Sequence, residues 1–286
     1  MLREITNDEI YEITIIYQFY TELFSLIFGL IGNLMNLFVL NSLPIFHNNQ
    51  CVFYIKIESI VNIGFLLTIY PANIVGFKIN QNFTFLSIEW CKLKTTLSQT
   101  FGLISVYTVC FSAFHQYLST SHRDSCRQMG TLNLARRLTI VTVCFCAIHS
   151  LLFLYFNEIQ STFTCTVYNS IFKQYLMFFY YPIINTGLPI LGSASFGLLA
   201  YYNIRHIICR RIPIVRRRLD RQLTKMVLTR ICCMIILGFP YIVFSIYLIN
   251  LKYTGDNFRE IAIATLTSAI CYSLLYGNFS VKYFKD

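Results

Sequence analysis

Residues 15–40 read IIYQFYTELFSLIFGLIGNLMNLFVL, a run in which Glu22 is the only charged side chain. A helix that crosses a membrane needs roughly 20 consecutive, mostly apolar residues. This first block is therefore long enough to span a bilayer. Inside lipid no water satisfies the backbone N–H and C=O groups, so such a block is expected to be helical.

Further apolar blocks follow along the chain. With the first, they cover approximately 15–40, 51–77, 96–117, 138–156, 174–202, 226–250 and 260–277. The sequence is 56% hydrophobic and 13% charged, whereas a soluble domain carries about 25% charged residues. The pattern predicts an all-α bundle of seven transmembrane helices, with one domain over 15–277 between the short ends 1–14 and 278–286.

The basic residues predict how this bundle is oriented. With the N-terminus outside, the cytosolic segments contain 14 Lys and Arg and the outer segments contain seven. Cytosolic loops of membrane proteins carry the excess of Lys and Arg. We therefore expect residues 1–14 to be extracellular, residues 278–286 to be cytosolic, and the protein to be a multi-pass protein of the plasma membrane.

The net charge of +10 has two readings. In a soluble protein, such a charge would suggest nucleic acid as a partner. Here the basic residues are concentrated in two short segments between apolar blocks, where membrane topology explains them better. Membrane lipid is therefore an expected partner, and nucleic acid is not.

Two features of the expected outer loops agree with this orientation. Asn82 begins an Asn-Phe-Thr glycosylation sequon, although such sequons are common by chance. Of the eleven cysteines, nine lie within apolar blocks or at the cytosolic face, which leaves Cys91 and Cys165 outside. Disulfides persist on the oxidising side of a membrane. We expect a Cys91–Cys165 disulfide, with two separate thiols as the alternative.

Several polar residues and prolines occur in the order and spacing of a known family. They are Gly32-Asn33 in the first block, Asn62 in the second, Tyr117 at the end of the third, Pro189 in the fifth, Pro240 in the sixth and Tyr276 in the seventh. Together with Cys91 and Cys165, they resemble the rhodopsin-like G-protein-coupled receptors over nearly the whole chain. The resemblance implies a receptor that transduces binding of an extracellular ligand, such as a peptide or chemosensory ligand, to a heterotrimeric G protein.

The resemblance also implies a polar network inside the bundle. Asn33 would bond across to Asn62, where the family usually has a sodium-binding aspartate. Where the family has the motif Asp-Arg-Tyr, this sequence has His115-Gln116-Tyr117. A glutamine forms hydrogen bonds but no ion pair. An inactive state held at Gln116 by neutral hydrogen bonds alone is therefore expected, with Pro240 and Tyr276 supporting the movement of the sixth helix.

A ligand pocket is implied near the outer ends of the helices. Its candidate residues are Ser98, Gln99, Gly102, Tyr241, Phe244 and Tyr247, and ordinary packing is the alternative reading for each. Ser98 stands where amine receptors have an aspartate, and the block 260–277 has no lysine to attach retinal. A monoamine ligand and a retinal chromophore are therefore not expected, and neither is any other cofactor or a metal.

The strongest cluster of positive charge follows the fifth block. It comprises Arg205, Arg210, Arg211, Arg216, Arg217, Arg218 and Arg221. The resemblance implies a contact surface for the G protein. The alternative is membrane topology together with attraction to anionic lipid, worth about 1 kcal/mol per basic residue. The two readings are compatible and both stay open.

Other classes of function are less compatible with the sequence. It contains no phosphate-binding loop, HExxH pair or GxSxG elbow, so an enzyme is not expected. A transporter or channel of seven spans is an alternative, but no internal repeat relates the two halves. Apart from Glu260 at the start of the last block, Glu22 and Glu58 are the acidic residues inside the blocks. A receptor-like protein that no longer signals is a further alternative, because the arginine of the third helix is missing.

The predicted orientation depends on the basic segment 203–225, which holds eight of the 14 inner Lys and Arg. An epitope tag inserted beside Pro213 should be labelled by antibody only after cells are permeabilised. A tag at the N-terminus is the control and should be labelled on intact cells. Labelling of the Pro213 tag on intact cells would contradict the orientation.

Overall fold

The computed structural model describes residues 7–43, 49–79, 88–159, 165–167, 169–206, 214–250 and 258–280. These residues are almost entirely helical. In chain order, the elements are α1 (Asn7–Ser42), α2 (Gln50–Ile79), α3 (Ile88–Thr120), α4 (Asp124–Met129), α5 (Leu132–Phe156), β1 (Asn157–Ile159), β2 (Cys165–Val167), α6 (Ser170–Tyr175), a π-helical segment (Leu176–Gly187), α7 (Leu188–His206), α8 (Ile214–Asn250) and α9 (Phe258–Ser280).

Six helical stretches of the described residues are long and apolar enough to cross a membrane. They are Glu9–Ser42, Gln50–Pro71, Ile88–Thr120, Leu132–Phe156, Ser170–Arg205 and Arg221–Leu248. They indicate a multi-pass membrane protein, with six candidate spans instead of the seven predicted. The helix outside this group is α9. At 23 residues α9 has the length of a membrane crossing, but it begins with the charged residues Arg259 and Glu260.

The long helices pack in an order that closes on itself. Helix α2 packs against α1 and α3, α3 against α5, α7 and α8, α7 against α8, and α9 against both α8 and α1. We call the end of the bundle that contains Ser42, Gln50 and Thr120 the inner end, because the basic residues predict that it faces the cytosol. The opposite end is the outer end, where β1 and β2 pair as a short antiparallel hairpin.

Polar side chains lie inside this bundle and large apolar side chains lie outside. Asn33 and Asn62 are fully buried, whereas Phe38, Tyr155 and Phe178 are 68%, 75% and 73% exposed. Soluble proteins instead bury their large apolar side chains and expose most of their amides. The distribution matches a protein whose outer surface contacts lipid, where polar groups must find partners within the bundle.

The fifth apolar block is not a continuous α-helix. Residues Leu176–Gly187 form a π-helix, in which the N–H of Leu188 donates to the carbonyl of Ile183, five residues earlier. A Cβ at Gly187 would lie 2.7 Å from the carbonyl oxygen of Pro182, so glycine is the residue that fits there. Pro189, which the resemblance assigns to this block, lies just after the π-helix in α7. Short π-helical insertions are often found at functional sites.

Replacing Gly187 with Ala should destabilise the bundle by about 1–3 kcal/mol, because the added methyl group overlaps the carbonyl of Pro182. The matched control is Gly238→Ala in α8, where an added Cβ meets nothing within 4 Å. Alanine is favoured over glycine in a helix by about 1 kcal/mol. The unfolding midpoint of the detergent-purified protein should fall for the first variant and hold or rise for the second. Equal midpoints would contradict the steric argument.

Candidate functional site

The predicted polar network lies where α1, α2 and α3 meet. Asn62 Nδ2 donates to Asn33 Oδ1 at 3.4 Å, and Ser105 Oγ of α3 donates to Asn62 Oδ1 at 2.9 Å. Asn33 Nδ2 also donates to the carbonyl of Gly29 in its own helix at 2.7 Å. All three side chains are buried. The oxygen of Asn62 therefore already accepts a hydrogen bond from the protein.

A buried ion pair joins α2 to α8 on the inner side of this network. The guanidinium of Arg230 donates from Nε to Glu58 Oε1 at 2.8 Å and also donates from Nη2 to the same oxygen. The two side chains are 16% and 7% exposed, respectively. The sequence reasoning missed this partner. The signal was present, because Arg230 is the single basic residue of the block 226–250 and Glu58 is the acidic residue of the block 51–77.

Gln116 forms a second connection onto α8, nearer the inner end. Its Nε2 donates to Thr224 Oγ1 at 2.7 Å, and its Oε1 accepts from Cys51 Sγ of α2 at 3.0 Å. The side chain is 1% exposed. These bonds are neutral, as expected of a glutamine. Tyr117 points elsewhere and packs against Phe196 of α7, with ring centroids 5.9 Å apart.

Helix α8 is thus held at two points by side chains of α2 and α3. The bonds at Gln116 are neutral, as predicted, and the Glu58–Arg230 ion pair is a further, charged contact between α2 and α8 that the sequence did not predict. Removing one member of a buried ion pair leaves the other charge without compensation. Separation of α8 from α2 therefore requires a charge to be exposed or rehydrated.

Two predicted pocket residues of α3 face different surroundings. Ser98 Oγ donates to the carbonyl of Thr95 in its own helix at 2.9 Å. Gln99 Oε1 accepts from the hydroxyl of Tyr180 at 2.5 Å, which connects α3 to the π-helix. Tyr180 is fully buried and stacks on His149 of α5, with ring centroids 5.2 Å apart. The Gln99 side chain is therefore engaged with the protein itself.

The predicted pocket residues of α8 separate into two groups. Tyr241 is buried and contacts Tyr181 of the π-helix and Tyr272 of α9, with ring centroids 6.3 Å and 5.2 Å away. Phe244 and Tyr247 instead pack against each other at 5.4 Å. Because Tyr181 follows Tyr180 directly, the π-helix brings Tyr241 and Gln99 into one cluster. Gly102 is half-buried on α3, and an added Cβ there would meet only Phe65, at 3.9 Å.

Cys91 lies in the first turn of α3, is fully buried and forms a disulfide. Eight other cysteines carry no disulfide, namely Cys51, Cys110, Cys126, Cys144, Cys146, Cys232, Cys233 and Cys271. Cys165 begins β2 in the hairpin that packs against α3, but its side chain lies outside the described residues, as does Cys209. The Cys91–Cys165 pairing therefore stays a prediction.

The remaining predicted residues are placed only in part. Arg205, at the end of α7, and Arg221, on α8, are exposed near the inner end, and Pro240 lies within α8. The side chains of Arg216, Arg217, Arg218 and Tyr276 lie outside the description, although their backbones are helical, and Asn82, Arg210 and Arg211 lie outside the described ranges altogether. Within those ranges, no group of three His, Cys, Asp or Glu side chains is placed to hold a metal ion.

Comparisons with known proteins do not assign a family. No protein-family model matches the chain, and no curated protein matches it. The assignment of function therefore depends on the residues and contacts described above.

The Glu58–Arg230 pair predicts a specific pattern of stabilities. Arg230→Met should cost about 3–5 kcal/mol, because it leaves the carboxylate of Glu58 buried without its partner. The double variant Glu58→Leu with Arg230→Met should be more stable than Arg230→Met alone. Arg127→Met is the control, since its pair with Asp124 is exposed and such pairs contribute about 1 kcal/mol or less. A double variant that is less stable than the single one in thermal unfolding would contradict the pairing.

Proposed function

We propose that the protein is a seven-transmembrane receptor of the plasma membrane that converts binding of an extracellular ligand into movement of α8 and acts on a heterotrimeric G protein. The observation that carries the proposal is the pair of contacts that hold the inner half of α8, Gln116 to Thr224 and Glu58 to Arg230. In the proposal, α9 is the seventh span, which its packing against both α1 and α8 supports.

Helix α8 has a natural bending point between these contacts and the outer tyrosine cluster. Pro240 has no N–H, so the carbonyl one turn earlier loses its helical hydrogen bond. Tyr241, the next residue, contacts Tyr181 and Tyr272. A ligand that rearranges these tyrosines, by direct contact or through the neighbouring helices, changes the packing beside the bend. The inner half of α8 can then swing away from α2 and α3 once its two contacts break.

The energies of these contacts set the balance between the closed and open states. A neutral hydrogen bond contributes about 1 kcal/mol net, and a bond to a charged group about 1.5–3 kcal/mol. Each 1.4 kcal/mol changes a two-state ratio about tenfold. The ion pair therefore supplies the larger share of the closed-state preference. In this proposal, it replaces the charge contact that the family places on the third helix.

A second candidate is an ion-coupled transporter, which the buried charges favour. Transporters place charged groups near the middle of the membrane, often beside broken helices. Here Glu58 is buried, and Arg230, Lys94 and Glu22 are partly buried between helices. The helices that carry these four residues are continuous, and the break in regular helix lies in the fifth block. Substrate-dependent currents in voltage-clamped cells would favour the transporter.

The receptor proposal predicts raised basal signalling when the contacts on α8 are removed. Thr224→Val, and the double variant Glu58→Leu with Arg230→Met, should each increase basal output severalfold in cells that express a promiscuous G protein. Thr142→Val is the matched control, because the hydroxyl of this buried threonine donates to the carbonyl of Leu138 in its own helix.

Surface expression must be equal for the comparison to hold, and antibody labelling of an N-terminal tag measures it. Unchanged basal output in both test variants at normal surface expression would contradict the proposal. It would favour a receptor-like protein that does not signal. An equal rise for Thr142→Val would instead show that the effect is not specific to α8.

A further inference from the structure

A second charged cluster lies near the outer end, where α1, α2 and α3 converge. Asn73 of α2 donates from Nδ2 to Glu22 Oε1 of α1 at 3.0 Å. Lys94 of α3 donates from Nζ to Asn73 Oδ1 at 2.5 Å. Each helix supplies one member, and the amide joins a carboxylate to an ammonium group. This cluster plays no part in the contacts that hold α8.

The cluster lies close to the outer ends of α2 and α3. Asn73 is six residues before the end of α2 at Ile79, and Lys94 is six residues after the start of α3 at Ile88. At the helical rise of 1.5 Å per residue, both lie about 9 Å below the outer helix ends. Beneath them is a hydrophobic cluster formed by Phe65, Leu66, Ile69 and the ring of Tyr70, whose hydroxyl lies near Glu22. The site therefore has a charged upper part and an apolar floor.

The hydrogen bonds of the cluster leave capacity unused. Within the described part of the chain, Glu22 Oε2 is buried and has no hydrogen-bond partner. Among the same residues, Lys94 uses one of its three ammonium donors, on Asn73. The amide of Asn73 fits only one way, because its flipped form would place an acceptor against the carboxylate and a donor against the ammonium group. A buried carboxylate oxygen without a donor is costly, and a ligand that supplies a donor removes that cost.

We propose that Glu22, Asn73 and Lys94 form the binding subsite for a free α-amino acid. The ammonium group of the ligand pairs with Glu22 Oε2, its carboxylate pairs with Lys94 Nζ, and its side chain lies on the apolar floor. This inference rests on the proposed receptor function, whose ligand class it names. It moves the ligand from the tyrosine cluster to the space between α1, α2 and α3.

The two opposite charges favour a zwitterion over ligands with one charge. A simple amine would be attracted by Glu22 but repelled by Lys94. A simple carboxylate would be attracted by Lys94 but repelled by Glu22. Like charges placed together exclude wrong partners as effectively as opposite charges attract the right one. An α-amino acid carries both charges on one carbon and matches the neutral total of the site. Because Glu22 Oε2 is enclosed without ligand, binding requires the side chains around it to move.

The test is a thermal-shift measurement on the full-length protein in lipid nanodiscs with each of the twenty free amino acids. We expect at least one to raise the unfolding midpoint in a saturable way. The amide of that amino acid lacks the carboxylate and its N-acetyl form lacks the ammonium group, and both should bind at least tenfold more weakly. No shift with any free amino acid, or equal binding of all three forms, would overturn the proposal.

Two variants separate recognition from a structural role. Glu22→Gln should weaken binding of the free amino acid at least tenfold and remove the preference for it over the N-acetyl form. Lys94→Met should remove the preference for the free amino acid over its amide. Thr21→Val is the control, because this neighbour of Glu22 bonds to the carbonyl of Tyr17 in its own helix. Variants that lower stability but keep both preferences would assign the cluster a structural role and overturn the subsite.

The outcome is separable from that of the signalling experiment, because binding is measured without a G protein. Selective binding of an amino acid by a protein that does not signal would refute the receptor function and leave the subsite standing. Raised basal signalling in Thr224→Val, with no amino-acid binding, would refute the subsite alone.

Discussion

A lipid bilayer offers no hydrogen bonds, so the polar side chains inside this bundle depend on partners in the protein. Asn62 meets this constraint through Asn33 of α1 and Ser105 of α3, and Glu58 meets it through Arg230 of α8. Each contact forms only when both helices are rotated about their axes so that the two side chains face each other. These pairs therefore determine how the helices are rotated and which helices are neighbours.

Under the proposed receptor function, the same constraint suits α8 to move as a lever. Its inner half carries polar contacts to α2 and α3, its outer half packs through Tyr241, and Pro240 lies just before that tyrosine. The polar contacts are discrete, so they are either made or broken. Under the proposed receptor function, this gives α8 two states and not a continuum.

Helix α2 connects the two charged clusters, since it carries both Glu58 and Asn73. The inner cluster is a direct ion pair, whereas the outer one joins its charges through an amide and leaves Glu22 Oε2 without a donor. A hydrogen-bonded ion pair favours a rigid connection between helices. A carboxylate oxygen without a donor favours binding of a ligand that supplies one. Pro71 lies between the two clusters along α2. The contrast between them is the physical basis for assigning one to conformational control and the other to ligand recognition.

The sequence by itself determined the helical class, the multi-pass character and the approximate limits of the spans, because each depends on local composition. It also indicated the partnership of Asn33 and Asn62. Only the tertiary structure decided that Arg230 meets Glu58, that Gln99 meets Tyr180 and that the fifth block contains a π-helix. It also gave six candidate spans among the described residues where seven were predicted. The reason is that a nearly all-apolar helix has no marked face, so its rotation and neighbours depend on contacts between residues far apart in the chain.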